Sequence, residues 1–279
     1  MDYYEINIIM SPFSDDISEI VVAEFADLGC DSFVDIENGV NAYIPKNVFN
    51  ENAIKDTVAS LEYISKINYS VKFIETQNWN AIWESNFEPI VVNDVCTIRA
   101  PFHNNLPKTK YEIVIMPKMS FGTGHHATTY LVTEALLDID VENLQVLDMG
   151  CGTGILAILA AMKNAAHIDA IDIDDWAYEN AVENVLVNNA NEKVNVLLGD
   201  VATISGKFYD LILANINRNI LVADMQHYAN SLKNGGKLIV SGIFTEDIDI
   251  VETEANKYNL TKTEEKSRNK WARIQFVKL

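Results

Sequence analysis

Residues 146–156 read VLDMGCGTGIL, and these eleven residues indicate the fold of the larger part of the chain. An apolar run ends at Asp148, glycines stand at positions 150, 152 and 154, and a second apolar run begins at Ile155. The pattern predicts a strand, a tight turn and a helix. Because glycine permits positive φ and close approach of the backbone, we expect a ligand across this turn, over the helix N-terminus.

The sequence from residue 143 to the terminal stretch WARIQFVKL alternates between strand-like and helical apolar runs. This alternation predicts a doubly wound α/β fold, with a mostly parallel seven-stranded sheet covered by helices on both faces. Two further strands are expected at residues 90–98 and 111–116. The last strand is expected to follow the polar stretch 261–270 and to enter antiparallel.

The first 76 residues follow another pattern. Strand-like runs and helical stretches alternate there, at residues 4–10, 14–30, 33–36, 41–44, 50–61 and 68–74. The order β-α-β-β-α-β predicts a small ferredoxin-like α+β domain. We therefore expect one domain at residues 1–76 and a second at 77–279, joined by a linker at about 60–80.

A connector at residues 76–89 carries Trp79, Trp83 and Phe87, four residues apart. Spacing of four predicts that these rings share one helical face and pack against a larger body. Apolar runs in the 279-residue chain fall short of the ~18 residues of a membrane span, and its start lacks the features of a leader peptide. We expect a cytoplasmic protein without a membrane partner.

The charge balance narrows the class of partner. The chain has 40 acidic and 21 basic residues, a net charge of −19, and residues 1–76 hold 14 acidic and 4 basic ones. A nucleic-acid-binding protein needs a basic face, so nucleic acid is disfavoured as the main partner. A basic protein would be attracted, although solubility alone explains the imbalance equally well. We expect the chain to act as a monomer.

The glycine spacing separates two kinds of cofactor. A dinucleotide fingerprint, GxGxxG, would place its third glycine at position 155, which is Ile155. The register is instead GxGxG, with Asp148 two residues before the first glycine. This pattern, DxGxGxG, resembles motif I of the class I methyltransferases that use S-adenosylmethionine. The resemblance implies that Gly150 and Gly152 face the methionine portion of that cofactor.

Acidic residues follow the next two predicted strands. Asp172 lies 22 residues after Gly150, and its carboxylate can accept hydrogen bonds from both ribose hydroxyls. Asp174 and Asp175 are neighbouring alternatives, and Asp172 could instead start a helix. Asp200 stands where class I enzymes often hold the adenine edge.

Asn215 ends the strand-like run YDLILAN at residues 209–215. Methyltransferases that act on amines need a hydrogen-bond acceptor there, to orient the nitrogen lone pair toward the methyl group. An Asn oxygen can do this without acting as a base, so we predict Asn215 as the catalytic residue. The familiar form is Asn-Pro-Pro-aromatic, whereas this chain has Asn-Ile-Asn-Arg, which argues against the members that modify bases.

A second glycine-containing loop makes the resemblance specific. FGTGHHATT at residues 121–129, followed by VLDMGCGTGILAI, AIDID and LILANI, resembles the methyltransferases that modify large-subunit ribosomal protein eleven. The resemblance covers essentially the whole chain. It implies an acidic N-terminal domain that recognises the basic ribosomal protein, and transfer of methyl groups to lysine ε-amines and the terminal α-amine.

The same resemblance implies the contacts of the cofactor, S-adenosylmethionine. They fall on Thr129, Gly150, Asp172 and Asn215, and we expect further cofactor contacts at Phe121, Gly122, Gly152 and Asp200. The family commonly reads GTGTHPTT in the first loop, so His125 and Ala127 are departures, while His126 matches. The two histidines lack a third ligand at a recognisable spacing, so no metal is expected.

Other functions remain open at this point. A class I methyltransferase acting on RNA or on a small amine is the first, and the acidic balance argues against the RNA substrate. The register at Ile155 argues against a dinucleotide-dependent oxidoreductase. A cofactor-binding module without activity is the third, and the retained Asn215 argues against it.

Overall fold

A computed structural model describes residues 2–74, 87–118 and 121–279 of the chain. Its contacts divide the chain into two compact units, Met1–Trp83 and Glu84–Leu279. The predicted helical face with Trp79 and Trp83 lies outside the described residues, and Phe87 lies inside them. No helix within the described ranges has both the length and the apolar character needed to cross a membrane.

The first unit is a four-stranded antiparallel sheet with two helices. Its elements are β1 (Tyr3–Ser11), α1 (Asp15–Asp27), β2 (Ser32–Ile36), β3 (Gly39–Pro45), α2 (Glu51–Leu61) and β4 (Lys66–Ile74). The strand order β2-β3-β1-β4 confirms the predicted ferredoxin-like arrangement. The linker predicted at about 60–80 is wrong in its first part, because β4 pairs with β1 along its whole length. Any linker therefore begins after Ile74.

Local signals explain the helix limits in this unit. The Ser14 hydroxyl accepts the backbone N–H of Ile17 at 3.3 Å, and the Asn50 side chain accepts those of Asn52 and Ala53. These bonds satisfy N–H groups that the first helical turn leaves without partners. One core of apolar side chains holds the helices on the sheet, and Ile6, Ile8, Val21, Phe25, Val40 and Ile54 are among its fully buried members.

The second unit begins with a small three-stranded sheet, which corrects one prediction. The single strand expected at 90–98 is a hairpin of β5 (Ile90–Val92) and β6 (Cys96–Arg99). Asn93 and Asp94 both have positive φ, 51° and 54°, as a tight hairpin turn of the primed type requires. The strand expected at 111–116 ends earlier, as β7 (Tyr111–Val114), and pairs parallel with β6.

The main sheet has seven strands, as predicted, in the order β10-β9-β8-β11-β12-β14-β13. The pairs from β10 through β12 are parallel, and the last two pairs are antiparallel. The elements are α3 (Ala127–Asp138), β8 (Gln145–Met149), α4 (Ile155–Met162), β9 (His167–Asp172), α5 (Asp175–Val187), β10 (Val194–Leu198), β11 (Tyr209–Asn215), α6 (Arg218–Ser231), β12 (Leu232–Phe244), α7 (Ile248–Asn256), β13 (Leu260–Arg268) and β14 (Trp271–Lys278).

The last strand, β14, follows the polar stretch 261–270 and enters antiparallel, as predicted. Most of that polar stretch itself forms a strand, β13, at the edge of the sheet. An edge strand exposes one side to water, so charged residues such as Glu264, Glu265 and Lys266 are tolerated there.

Two apolar cores lie on opposite faces of the main sheet. One contains residues of α3, α4 and α5, and the other contains residues of α6 and α7. Because β8, β9, β10 and β11 run parallel, their carboxyl ends lie along one edge of the sheet. The same edge carries the glycine turn and the side chains of Asp172, Asp200 and Asn215, since each of them ends or follows one of these strands. Ligands of open α/β sheets bind at this edge.

Candidate functional site

A cavity of about 490 Å³ opens at the carboxyl edge of the parallel strands. This volume lies within the range of small-molecule binding sites, roughly 300–1,000 Å³. Six of the residues predicted from the sequence line it: Phe121, Gly150, Gly152, Asp172, Asp200 and Asn215. The topology therefore brings together side chains that are up to 94 positions apart in the chain.

Thr129 and Gly122 are placed behind this lining. Thr129 is buried, and its hydroxyl oxygen lies 3.5 Å from the Asn215 amide nitrogen. Gly122 packs against the glycine turn, where its carbonyl accepts the Thr153 hydroxyl at 2.7 Å. Neither residue lines this cavity, although Gly122 lines an adjoining pocket together with Phe121 and His126.

The glycine turn needs glycine for reasons visible in its contacts. Gly150 and Gly152 have φ of +70° and +53°, in the left-handed region. A Cβ at Gly150 would overlap the Ile216 side chain, and one at Gly152 would overlap the carbonyl oxygen of Phe121. That carbonyl accepts the Thr153 backbone N–H at 3.0 Å, so the first loop lies directly on the turn.

Asp172 joins β9 to the glycine turn. One carboxylate oxygen accepts the Gly152 N–H at 2.8 Å, and the other accepts the Asp174 N–H at 3.1 Å. A carboxylate oxygen has a second lone pair, so two hydrogen bonds to a ligand remain open. The same side chain can therefore set the turn and receive two hydroxyl groups from the cavity.

Asn215 presents an acceptor without a protein donor. Its amide nitrogen points to Thr129, while its Oδ1 is buried and has no hydrogen-bond partner among the described residues. A buried carbonyl oxygen that lacks a partner is costly, on the order of 1–3 kcal/mol. A ligand N–H placed there would remove this cost.

Asp200 caps the short turn that follows β10. Its Oδ1 accepts the Ala202 N–H at 2.9 Å, and its side chain is otherwise exposed at the cavity. The remaining carboxylate oxygen is available to a donor on a ligand.

Asp148 lies beneath the turn and is 1% exposed. Its Oδ2 accepts the Ala157 N–H at 3.1 Å, and its Oδ1 has no partner among residues 2–74, 87–118 and 121–279. Burial is the main cause that raises the pKa of this carboxyl to about 7; the Ala157 N–H lowers this pKa, and the nearby charge of Asp172 helps to raise it. The carboxyl is therefore partly protonated at neutral pH.

We expect this shift to make the folded chain less stable as pH rises from 4 to 7. The folded state holds a proton that the unfolded chain releases near 3.8, so stability is highest below that value and is lost through the folded pKa. The contribution is on the order of a few kcal/mol. Urea unfolding at a series of pH values should show a slope that Asp148→Asn flattens and the exposed Asp249→Asn leaves intact. Equal slopes in all three proteins would contradict the assignment.

Other residues that line the cavity belong to no motif identified in the sequence. Ile173 directly follows Asp172, and Trp176 lies four residues after it; they are 70% and 51% exposed, which is unusual for large apolar side chains. Their position after a predicted binding acid was a signal for an apolar ligand face. Trp271 also lines the cavity and stacks on Phe244, with ring centroids 4.1 Å apart. It reaches the site only through the pairing of β14 with β12, so no local signal could have found it.

The two histidines of the first loop have protein partners. His125 contacts the Thr123 hydroxyl and the Glu88 carbonyl, and His126 Nδ1 contacts the Thr128 hydroxyl at 2.8 Å. Among the residues with described positions, no group of three His, Cys, Asp or Glu side chains could hold a metal ion.

Comparisons with known proteins agree with this geometry. Residues 18–279 match the model of the family described as ribosomal protein L11 methyltransferase (PrmA). The chain is 42% identical over 280 residues to the ribosomal protein L11 methyltransferase of Phocaeicola vulgatus, covering 99% of each chain. It is 45% identical to that of Porphyromonas gingivalis, covering 93% of this chain and 90% of the relative. A solved ribosomal protein L11 methylase from Lactobacillus delbrueckii subsp. bulgaricus is 25% identical, with a TM-score of 0.63 over 69% of this chain and 100% of that one.

Proposed function

The chain belongs to the ribosomal protein L11 methyltransferase family, and we propose that it transfers methyl groups from S-adenosylmethionine to amines of ribosomal protein L11. The acceptors are lysine ε-amines and the N-terminal α-amine. The observation that carries the proposal is the buried Asn215 Oδ1, which has no donor in the described part of the chain. The names of the relatives support the choice of a protein substrate over RNA or a small amine.

The residues that line the cavity are suited to binding S-adenosylmethionine. Gly150 and Gly152 line the cavity without side chains of their own, where the methionine portion would lie. Asp172 retains two lone pairs for the ribose hydroxyls, and Asp200 retains one oxygen for the adenine edge. When bound, this cofactor supplies a methyl group made electrophilic by the sulfonium.

The residues of the chain contribute orientation. Asn215 Oδ1 would accept an N–H of the neutral substrate amine and direct its lone pair toward the methyl group. A lysine amine has a pKa of about 10.4 in water, and desolvation in the cavity lowers it, so that the proton can pass to water. Burial lowers the pKa of His126, so this ring adds no positive charge beside the incoming amine at neutral pH.

We propose residues 1–76 as the substrate-recognition domain and residues 77–279 as the catalytic domain. The acidic balance of the first unit supports this division, since a basic ribosomal protein would be attracted to it. Helix α1 has the sequence DDISEIVVAEFAD, with exposed acidic residues and no basic one. We further propose a monomeric cytoplasmic enzyme; its three buried and free cysteines support a reducing compartment.

Neutralising three acidic residues of α1 should weaken the binding of the protein substrate selectively. In Glu19→Gln/Glu24→Gln/Asp27→Asn we expect KM for ribosomal protein L11 to rise about tenfold, with kcat unchanged, because rim charges act mainly on association. Glu24 and Asp27 lie near the helix C-terminus, where negative charge is unfavourable, so the variant should remain folded. Steady-state kinetics at low and high salt measure the change.

The matched control removes the same charge from the catalytic unit, in Glu192→Gln/Glu246→Gln/Asp249→Asn, whose side chains are exposed. It should leave KM near the wild-type value. An equal rise in both variants would show that overall charge matters and that α1 does not.

The proposed function is tested by incubating the purified chain with labelled S-adenosylmethionine and a mixture of ribosomal proteins. Label should enter ribosomal protein L11, and mass spectrometry of its peptides should place methyl groups on lysines and on the N-terminus. Label in RNA or in another protein would overturn the proposed substrate. No calorimetric response to S-adenosylhomocysteine would overturn the proposed cofactor.

A further inference from the structure

Asp224 is an acid on the inward face of α6. Leu221 and Tyr228 lie three and four positions away, so they share its helical face, and both are fully buried. Asp224 lines the same cavity as Asp200 and Tyr228. An acid on the apolar stripe of a helix is unusual unless it binds something.

The surroundings of Asp224 leave it short of donors. The Tyr228 hydroxyl approaches its Oδ2 at 3.5 Å, and its Oδ1 has no hydrogen-bond partner among the described residues. The pKa of Asp224 is raised, mainly by desolvation and also by the charge of Asp200. His227 and the Tyr228 hydroxyl act in the opposite direction. Two carboxylates therefore face one end of the cavity, and the charge of one opposes ionisation of the other.

A ligand group with two N–H donors would satisfy both acids. The turn after β10, which carries Asp200, packs against α6, so the two acids approach this end from different elements. An exocyclic amino group on a planar ring has two N–H bonds that point apart in one plane. Each could donate to one carboxylate in a charge-assisted hydrogen bond.

We propose that Asp224 accepts one N–H of the 6-amino group of the bound purine nucleoside, while Asp200 accepts the other. This inference rests on the proposed function and adds a residue that selects 6-aminopurine over 6-oxopurine. A 6-oxopurine presents an oxygen instead of donors, which two carboxylates would repel. Sites that hydrogen-bond a ligand N–H discriminate strongly against analogues that lack it.

Calorimetric titration of the full chain with S-adenosylhomocysteine and with its 6-oxo analogue, S-inosylhomocysteine, tests the proposal. The wild-type chain should bind the 6-amino ligand at least about tenfold more tightly, since a hydrogen bond to a charged group is involved. Asp224→Asn should weaken the binding of the 6-amino ligand about tenfold. It should also reduce the preference for this ligand over the 6-oxo ligand, because a carboxamide can donate to the 6-oxo group. Asp249→Asn, an exposed acid outside the cavity, is the control and should retain the wild-type preference.

Thermal unfolding without ligand shows that the variants are folded. If Asp224→Asn binds both ligands with the wild-type ratio, this inference is overturned and the proposed function stands. If the wild-type chain binds neither ligand, the proposed function is overturned and this inference with it.

Discussion

Asn215→Ala is expected to lower kcat for ribosomal protein L11 by about 100-fold or more, because an orienting group aimed at the reacting atoms is worth two to three orders of magnitude. Asn215 Oδ1 is buried beside the glycine turn and has no donor in the described part of the chain, so it is the acceptor available to the amine. The affinity for S-adenosylhomocysteine should change by less than about fivefold, since an interaction with the amine affects turnover more than cofactor binding. Single-turnover rates and calorimetry separate the two effects.

Thr129 offers a second check on the same group. Thr129→Val removes the hydroxyl that contacts the Asn215 amide and keeps the side-chain shape, so Asn215 should lose its fixed orientation. We expect a smaller fall in kcat, about tenfold, because misplacing a positioned group costs less than deleting it. Asn230→Ala, an exposed change on α6, should behave as wild type. An Asn215→Ala enzyme that bound cofactor poorly but kept its turnover would contradict the orienting role.

The fold of this chain could be predicted where periodicity and glycine spacing agree. The turn after Asp148, the alternation that follows it and the helical stretches at 14–30 and 50–61 are all local patterns, and each appears in the structure. Local patterns succeed here because buried parallel strands must be apolar along their length and capped helices begin at specific side chains.

The errors arise where a local pattern did not distinguish two structures. Residues 90–98 are apolar at both ends, and only the positive φ of Asn93 and Asp94 turns them into a hairpin. The β13 strand is polar because it lies at an edge, and an edge position is a property of the whole sheet. The edge position is not contained in a window of ten residues, whereas the Asn93–Asp94 turn is a local feature that was missed.

The residues of the candidate site also fall into those that local patterns predicted and those that depend on the packing of the whole fold. Residues that end strands, such as Asp172 and Asn215, could be placed at the cavity because strand ends share an edge. Thr129 was expected to contact the cofactor, and the structure places it behind Asn215. Trp271 and Asp224 were not foreseen, because they reach the cavity through antiparallel pairing and through the packing of α6. The roles of all these residues remain predictions that binding and kinetic measurements decide.

Gly152→Ala is expected to reduce cofactor affinity by about 100-fold, because it displaces the turn on which a closely approaching ligand depends. Any Cβ at this position would overlap the Phe121 carbonyl, which the Thr153 N–H already holds. The turn must therefore shift, and with it the Gly152 N–H that bonds Asp172 at 2.8 Å. One substitution thus disturbs the cavity lining at Gly152 and at the Asp172 carboxylate together.

Gly206→Ala provides a matched control for the conformational part of this effect. Gly206 also has positive φ, +77°, but a Cβ there meets nothing within 4 Å. Gly206→Ala should lower the free energy of unfolding only by the intrinsic strain of the left-handed conformation, about 1 kcal/mol, and leave the cofactor affinity unchanged. Gly152→Ala should cost about 3 kcal/mol, since the overlap with backbone is added to the same strain. Urea unfolding and calorimetry with S-adenosylhomocysteine measure both quantities, and equal losses of affinity in the two variants would mean that the cofactor does not lie across this turn.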